Sequence, residues 1–141
     1  MYLLDTNVVS EVRKITGGGA DPNVARWANE IDAAITYISA ITIQELEHGV
    51  LLAERKDSTK GSVLRDWLDN DVSRAFGGRI LPVDGDVARA AAALHVPDPA
   101  PVLDALIAAT AQVNEMVVVT RNTRDFSRFS RLRLFDPWSK N

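Results

Sequence analysis

Short apolar runs alternate along the chain with longer stretches in which apolar residues recur at helical spacing. The apolar runs predict five strands, the last of them at a sheet edge, over residues 2–4, 33–39, 79–83, 116–119 and 132–135. The stretches between them predict helices over residues 6–14, 22–31, 40–55, 60–75, 84–95 and 102–115. Strands that alternate with helices form parallel sheets, and strands covered on both faces are apolar throughout. The pattern therefore predicts an α/β fold, a three-layer α/β/α sandwich with a central, mostly parallel sheet.

The composition is typical of a soluble globular protein, with 46% hydrophobic and 25% charged residues among 141. A chain of this length buries one core, so we expect a single domain over residues 1–141. No stretch approaches the roughly 20 apolar residues of a membrane span, and no signal peptide is recognisable, so we expect a cytoplasmic protein with no membrane contact. The lack of cysteine excludes disulfides and thiol chemistry, and two distant histidines, His48 and His95, argue against a histidine metal site.

The charge is unevenly distributed along the chain. The net charge is −3, yet segment 121–133 holds five arginines and one acid, so it carries +4 and leaves −7 on the remainder. A solvated surface would explain such a run. A basic segment would also attract the phosphates of a nucleic acid.

Asp5 directly follows the first predicted strand. Ligands of open parallel sheets bind beyond the carboxyl ends of the strands, which is where this acid falls. Alternatively, Asp5 caps the helix that begins with Thr6 and Asn7, since all three residue types are common at helix N-termini.

Glu45 lies on the helix that follows the second predicted strand, with Ser39 as the expected N-cap. Gly49 is one turn away and leaves open space beside Glu45, as a binding site would require. Glu47 points to roughly the opposite side of the helix, where we expect it to be solvated.

Asp104 interrupts VLDALIAATAQV, a helix that is otherwise apolar nearly all round. A bare charge is costly to bury, so this carboxylate should be paired, capped or bound to a metal. Ala108 and Ala111, one and two turns on, are small enough to let other groups approach. Alternatively, Asp104 is favoured only by the dipole at the helix N-terminus.

The sequence TRNTRDF follows the fourth predicted strand and offers further oxygen atoms. Thr120 carries a hydroxyl, Asn122 an amide oxygen, and Asp125 a carboxylate a short turn later. Arg121 and Arg124 are candidates for contacts with substrate phosphate. Alternatively, Asn122 only caps a short helix, which leaves Asp125 without a role.

Three carboxylates gathered at one edge of a sheet would repel one another unless a positive charge lay between them. No lysine or histidine neighbours Asp5, Glu45 or Asp104 in a way that would supply it, so a hard divalent cation is the natural partner. Oxygen ligands favour magnesium or manganese over zinc. Such an ion serves phosphodiester hydrolysis, and the arginine-rich segment could offset the repulsion between the acids and a nucleic acid.

Five stretches resemble one known family along almost the whole chain: MYLLDTNVVSE, ISAITIQELEHGV, LDALIAATA, VVVTRNTRDF and LRLFDPW. They are similar to the PIN-domain ribonucleases, and among these to the VapC/FitB-like toxins of type II toxin–antitoxin systems. GGRILPVDGDVA at 77–88 and the closing FDPW resemble the FitB-type branch.

The resemblance implies a magnesium-dependent endoribonuclease with a PIN-like α/β/α fold, in which manganese is a plausible substitute. The metal-binding acids of the family correspond to Asp5, Glu45 and Asp104. The family's fourth acid aligns with Asn122, an amide in this chain, and Asp125 matches a nearby acid that many relatives keep. The resemblance thus implies one tightly held cation, with a second arriving with the substrate.

The resemblance also implies partners. The substrate would be RNA, with structured loops such as those of tRNA as the expected targets, and the protein would be a homodimer. A small VapB/FitA-like antitoxin would wrap the toxin with its C-terminal segment, often plugging the site with an arginine. The pair could form a larger assembly on DNA through the antitoxin.

Two other functions remain open from the residues. The acids could form a non-catalytic pocket that docks a basic peptide such as an antitoxin tail. An aspartyl-phosphate phosphatase would also use an acidic pocket, but it would want a second acid two residues after Asp5, where this chain has Asn7.

Overall fold

The computed structural model describes residues 1–139, so the last two residues of the predicted domain lie outside it. In this part of the chain five strands form one sheet in the order β3-β2-β1-β4-β5. Every neighbouring pair is parallel. The strands are β1 (Tyr2–Leu4), β2 (Thr36–Ser39), β3 (Ile80–Leu81), β4 (Val117–Val119) and β5 (Leu134–Phe135). The predicted parallel sheet is confirmed, and β5 lies at an edge as expected.

Helices cover both faces of the sheet, which confirms the predicted three-layer sandwich. They are α1 (Thr6–Val12), α2 (Pro22–Glu30), α3 (Ala40–Lys56), α4 (Ser58–Asp66), α5 (Ser73–Ala75), α6 (Gly85–Leu94), α7 (Val102–Val113) and α8 (Thr123–Phe126). A π-helical segment, Trp67–Val72, joins α4 to α5. Among residues 1–139 no helix is both long enough and apolar enough to cross a membrane.

The two faces of the sheet are buried against different helical layers. Successive strand residues point to opposite faces, and accordingly Leu3 packs in one cluster with α7, whereas Leu4 packs in another with α1 and α3. Val118 and Val119 divide between the same two clusters. All four side chains are buried, which is why these strands show apolar runs and not an alternating pattern.

Several predicted elements are shorter in the structure, for local reasons. Residues 33–35 form a 3₁₀ turn and not the start of β2, because Asp32 accepts a hydrogen bond from the Ala34 N–H. The predicted strand 79–83 contracts to Ile80–Leu81, and the residue that follows, Pro82, has no N–H with which to extend a ladder. In the predicted strand 132–135 only Leu134–Phe135 pairs with β4.

The expectation that Glu47 is merely solvated was wrong. Arg65 of α4 donates to both carboxylate oxygens of Glu47, at 2.6 and 2.8 Å. The same guanidinium reaches Glu54 at 3.0 Å and Asp69 at 3.4 Å. These contacts join α3, α4 and the π-helical segment on the side of α3 away from Glu45.

Helices α3 and α4 also approach each other unusually closely. Gly61 of α4 is buried, and a β-carbon built on it would lie 2.5 Å from the Cα of Glu54 in α3. Only glycine fits this contact without moving a backbone. Gly49, by contrast, has no heavy atom within 4 Å of an added β-carbon, which agrees with the open space predicted beside Glu45.

We expect Gly61→Ala to destabilise the fold by about 1–3 kcal/mol, because the new methyl group would force the two helices apart. The matched control is Gly49→Ala, which removes another helical glycine without a clash. That variant should gain up to about 1 kcal/mol from helix propensity. Urea unfolding followed by circular dichroism measures both changes, and equal effects would contradict the close contact.

Candidate active site

Asp5 stands at the carboxyl end of β1, in the centre of the sheet. Its side chain is only 6% exposed. It caps α1, since Oδ1 accepts a hydrogen bond from the Thr6 N–H at 2.8 Å. Oδ2 accepts one from the Thr120 hydroxyl, also at 2.8 Å, and lies 3.4 Å from Asn7 Nδ2. The capping role and the position at the sheet edge therefore coexist in one residue.

Glu45 lies on α3, the helix that follows β2. Ser39 caps this helix as predicted, its hydroxyl accepting from the Thr42 N–H at 3.1 Å. The Thr6 hydroxyl donates to Glu45 Oε1 at 2.6 Å and lies 3.2 Å from the Thr42 hydroxyl. Thr6 thus follows Asp5 in the chain and contacts Glu45 through space, which links the ends of β1 and β2. Gly49 borders the cleft next to Glu45.

Asp104 lies in the first turn of α7 and is half-buried. It therefore does not lie on the fully buried apolar face of that helix. It lines a cleft with Asp125, which is exposed on α8. The same cleft is lined by Arg124 and Arg128. Acidic and basic side chains therefore share one opening beside the sheet edge.

Asn122 begins α8 as predicted, but its side chain makes no capping hydrogen bond. Its backbone N–H donates to the Thr120 hydroxyl oxygen at 3.0 Å, and within residues 1–139 its amide side chain makes no hydrogen bond. Arg121 is exposed. Its guanidinium carbon lies 5.3 Å from the ring centre of Trp138, and its backbone N–H donates to Asn7 Oδ1 at 3.3 Å.

The electrostatic environment of Asp5 reflects its burial. Burial raises the pKa of its carboxyl group above the ordinary value, and the negative charges of Glu45 and Asp104 raise it further. The hydrogen bonds from Thr120 and from the Thr6 N–H act in the opposite direction. The three acids are therefore electrostatically coupled.

The pKa of Asp104 is raised in the same way. Burial is the largest cause, and the charges of Asp125 and Glu45 add to it. Arg128 lowers the pKa of Asp104, so its guanidinium is close enough to stabilise the carboxylate. Two pairs of acids thus form one electrostatically connected group: Asp5 and Glu45 are linked through Thr6, and Asp104 shares a cleft with Asp125.

The chemistry of this group suits a hard divalent cation. Its donor atoms are carboxylate and hydroxyl oxygens, with no sulfur among them. A positive ion would also relieve the repulsion that raises the pKa of Asp5 and Asp104. In residues 1–139, however, no three Asp, Glu or His side chains lie close enough together to bind one metal ion. Joint binding would therefore draw the carboxylates closer than they stand here.

Two members of the site were missed from the sequence. Thr6 was interpreted only as a helix-starting residue, although its hydroxyl holds Glu45 across 39 positions. Arg128 was counted in the basic segment without a specific role. Arg128 lies in the turn after α8, so helical spacing gave no signal for its role.

Comparison with known proteins identifies the family. The PIN domain profile matches residues 2–132. The chain belongs to the PIN-domain family. Toxin FitB of Neisseria gonorrhoeae is 37% identical over 98% of the chain and 99% of its own length. Ribonuclease VapC14 of Mycobacterium tuberculosis is 45% identical over 53% of the chain and 70% of its own length. A solved structure of FitAB bound to an IR36 DNA fragment superposes with a TM-score of 0.88 at 33% identity, covering 100% of this chain and 98% of that one.

The raised pKa of Asp5 in this PIN domain predicts a specific pH dependence of stability. The folded protein binds the proton of Asp5 more tightly than the unfolded chain, so Asp5 costs stability as the pH rises through its folded pKa. We expect the free energy of unfolding of the wild type, relative to Asp5→Asn, to increase as the pH falls from about 7 to about 4. Urea unfolding in EDTA measures this difference. A decrease in this difference as the pH falls would show that the two hydrogen bonds to Asp5 lower its pKa by more than burial raises it.

Proposed function

We propose that this PIN-domain protein is the toxin of a toxin–antitoxin pair and a metal-dependent endoribonuclease that hydrolyses phosphodiester bonds in RNA. The expected targets are structured loops such as those of tRNA. The observation that carries the proposal is the connected group of acids at the carboxyl edge of an all-parallel sheet. The similarity to proteins named as a toxin and as a ribonuclease supports both parts of it.

Asp5, Glu45 and Asp104 are the proposed ligands of Mg²⁺, for which Mn²⁺ is a plausible substitute. When bound, such an ion polarises a phosphoryl oxygen and lowers the pKa of water. The Thr6 hydroxyl fixes one oxygen of Glu45 and so orients the other. Thr120 and the Thr6 N–H hold both oxygens of Asp5 at the sheet edge.

The remaining site residues act around these ligands. Asn122 and Asp125 form the supporting shell, Asp125 by sharing the cleft of Asp104. Arg124 lines that cleft, and Arg121 stands beside Asn7, so both are proposed to contact substrate phosphates. Their positive charge offsets the repulsion between the acids and the RNA backbone.

We propose a VapB/FitA-like antitoxin as the protein partner and a homodimer as the toxin's own state, both in the cytoplasm. The FitAB structure on DNA supports a larger assembly in which the antitoxin contacts DNA. An antitoxin segment with an arginine would match the charge of the acid group.

A second function is a non-catalytic acidic pocket that docks a basic peptide. The observation that favours it is that, within residues 1–139, three acids do not stand within reach of one ion. Chelation separates the two functions. EDTA would stop an enzyme, whereas a pocket would keep its affinity for a labelled arginine peptide and cleave no RNA.

The central test of the enzyme is Asp5→Asn. We expect this variant to lose Mg²⁺-dependent cleavage of tRNA and rRNA by at least about 100-fold, because removing one catalytic charge costs roughly that much or more. Gel assays with and without Mg²⁺ measure the loss, and circular dichroism checks the fold. The matched control is Asp98→Asn, since Asp98 is exposed in the proline-rich loop. Undiminished cleavage by Asp5→Asn would refute the assignment.

A further inference from the structure

The arginine-rich segment is forced by topology to run the full height of the sheet. β4 and β5 are adjacent and parallel, so the chain that joins them must return from the carboxyl edge to the amino edge. Arg121 follows Thr120, whose N–H bonds to the last residue of β5, and Arg133 stands just before that strand. A three-residue strand is about 10 Å long. The charges are therefore spread along a line and not gathered at one point.

In the part of the chain that the structure describes, the arginine side chains on this line are accessible to a ligand. All five are exposed: Arg121, Arg124, Arg128, Arg131 and Arg133. We call them the arginine track. In the described part of the chain none of them lies within 4.0 Å of a carboxylate, whereas Lys14, Arg65 and Arg74 do.

Two of the track's guanidinium groups are anchored by neutral oxygens. Arg128 donates to the Pro99 carbonyl at 3.1 Å, and Arg133 donates to the Glu115 carbonyl at 3.4 Å. Each guanidinium has five N–H donors, so these single bonds position the group and leave most donors available. Neither carbonyl neutralises the positive charge, although Arg128 shares its cleft with the carboxylates of Asp104 and Asp125.

The lower end of the track opens on a separate cleft at the amino edge of the sheet. This cleft, of about 780 Å³, is lined by Arg131 and Arg133, by apolar side chains that include Leu94 and Met116, and by one exposed acid, Glu115. Two arginines and one glutamate leave the cleft with a net positive charge. Arg131 has a φ of +64°, a conformation that favours glycine. Replacing Arg131 with glycine would therefore remove the charge and relieve the backbone at the same time.

We propose that the arginine track binds the backbone of the single-stranded RNA that flanks the cleaved bond, leading it from the acid group to the distal cleft. This inference rests on the proposed ribonuclease function and adds the path of the substrate. The kind of ligand follows from the positive charge of the arginine track. Segment 121–133 carries +4 whereas the rest of the chain sums to −7, so a polyanion is attracted to the track.

The test compares a labelled trinucleotide, which covers only the acid group, with a labelled RNA strand several times longer. Arg131→Gly with Arg133→Ala should weaken binding of the long RNA on the order of tenfold, the size of one charged hydrogen bond. The slope of log affinity against log salt should fall by about 0.7 for each lost phosphate contact. Cleavage of the trinucleotide should keep its kcat and KM.

Two further variants serve as controls, one for loss of stability and one for loss of any surface arginine. Arg131→Gly alone relieves the left-handed backbone, so its Tm should not fall while its affinity for long RNA does. Arg55→Ala removes an exposed arginine at the end of α3 and should change nothing. Unchanged affinity for long RNA and an unchanged salt slope in the double variant would overturn the proposed track. So would an equal loss of activity on the trinucleotide. Tighter binding of poly-glutamate than of RNA would also contradict it.

The outcome is separable from that of the proposed function. If the wild type cleaves neither RNA in Mg²⁺, the ribonuclease proposal fails. Fluorescence anisotropy with the long RNA still decides the track, because binding needs no cleavage. If the wild type cleaves both and the double variant binds as the wild type does, only the track is wrong.

Discussion

One buried carboxyl group connects the elements at the centre of this structure. Asp5 is almost fully shielded from water, so its charge must be satisfied by neighbours that the fold supplies. It receives one hydrogen bond from the start of α1 and another from Thr120, at the end of β4. Through these bonds the ends of two paired strands and the first helix are fixed relative to one another. Burial still raises the pKa of Asp5, and the charges of Glu45 and Asp104 add to it, so the edge is attractive to a positive partner.

The parallel sheet produces both charged features of the molecule. Since all strands end at the same edge, residues that follow separate strands are brought together there although they are far apart in sequence. The same rule requires each connection to return to the opposite edge, and the connection between β4 and β5 is the one that carries the arginines. Negative charge is thereby concentrated at one edge, while positive charge extends down the adjacent side.

The layers, the strand direction and the positions of the acids were predictable. They depend on the local pattern of apolar residues and on the rule that residues following parallel strands meet at the carboxyl edge of the sheet. Contacts between distant side chains were not. The bond from Thr6 to Glu45 depends on how α1 and α3 pack, and the pairing of Arg65 with Glu47 depends on the close approach allowed by Gly61. The turn at 33–35 was missed for another reason. The apolar run predicted a strand there, but Asp32 caps a 3₁₀ turn at the same residues.

The sheet's borders decide how other molecules can attach. β3 and β5 close the two sides with two residues each, and Pro82 follows the first of them. Exposed strand edges invite further strands by offering unpaired backbone groups, and short ones offer few. Pairing of strands between separate chains is thus disfavoured at both edges of the sheet. The short edges therefore favour partners that bind helices and side chains, through shape and charge, over partners that add a strand.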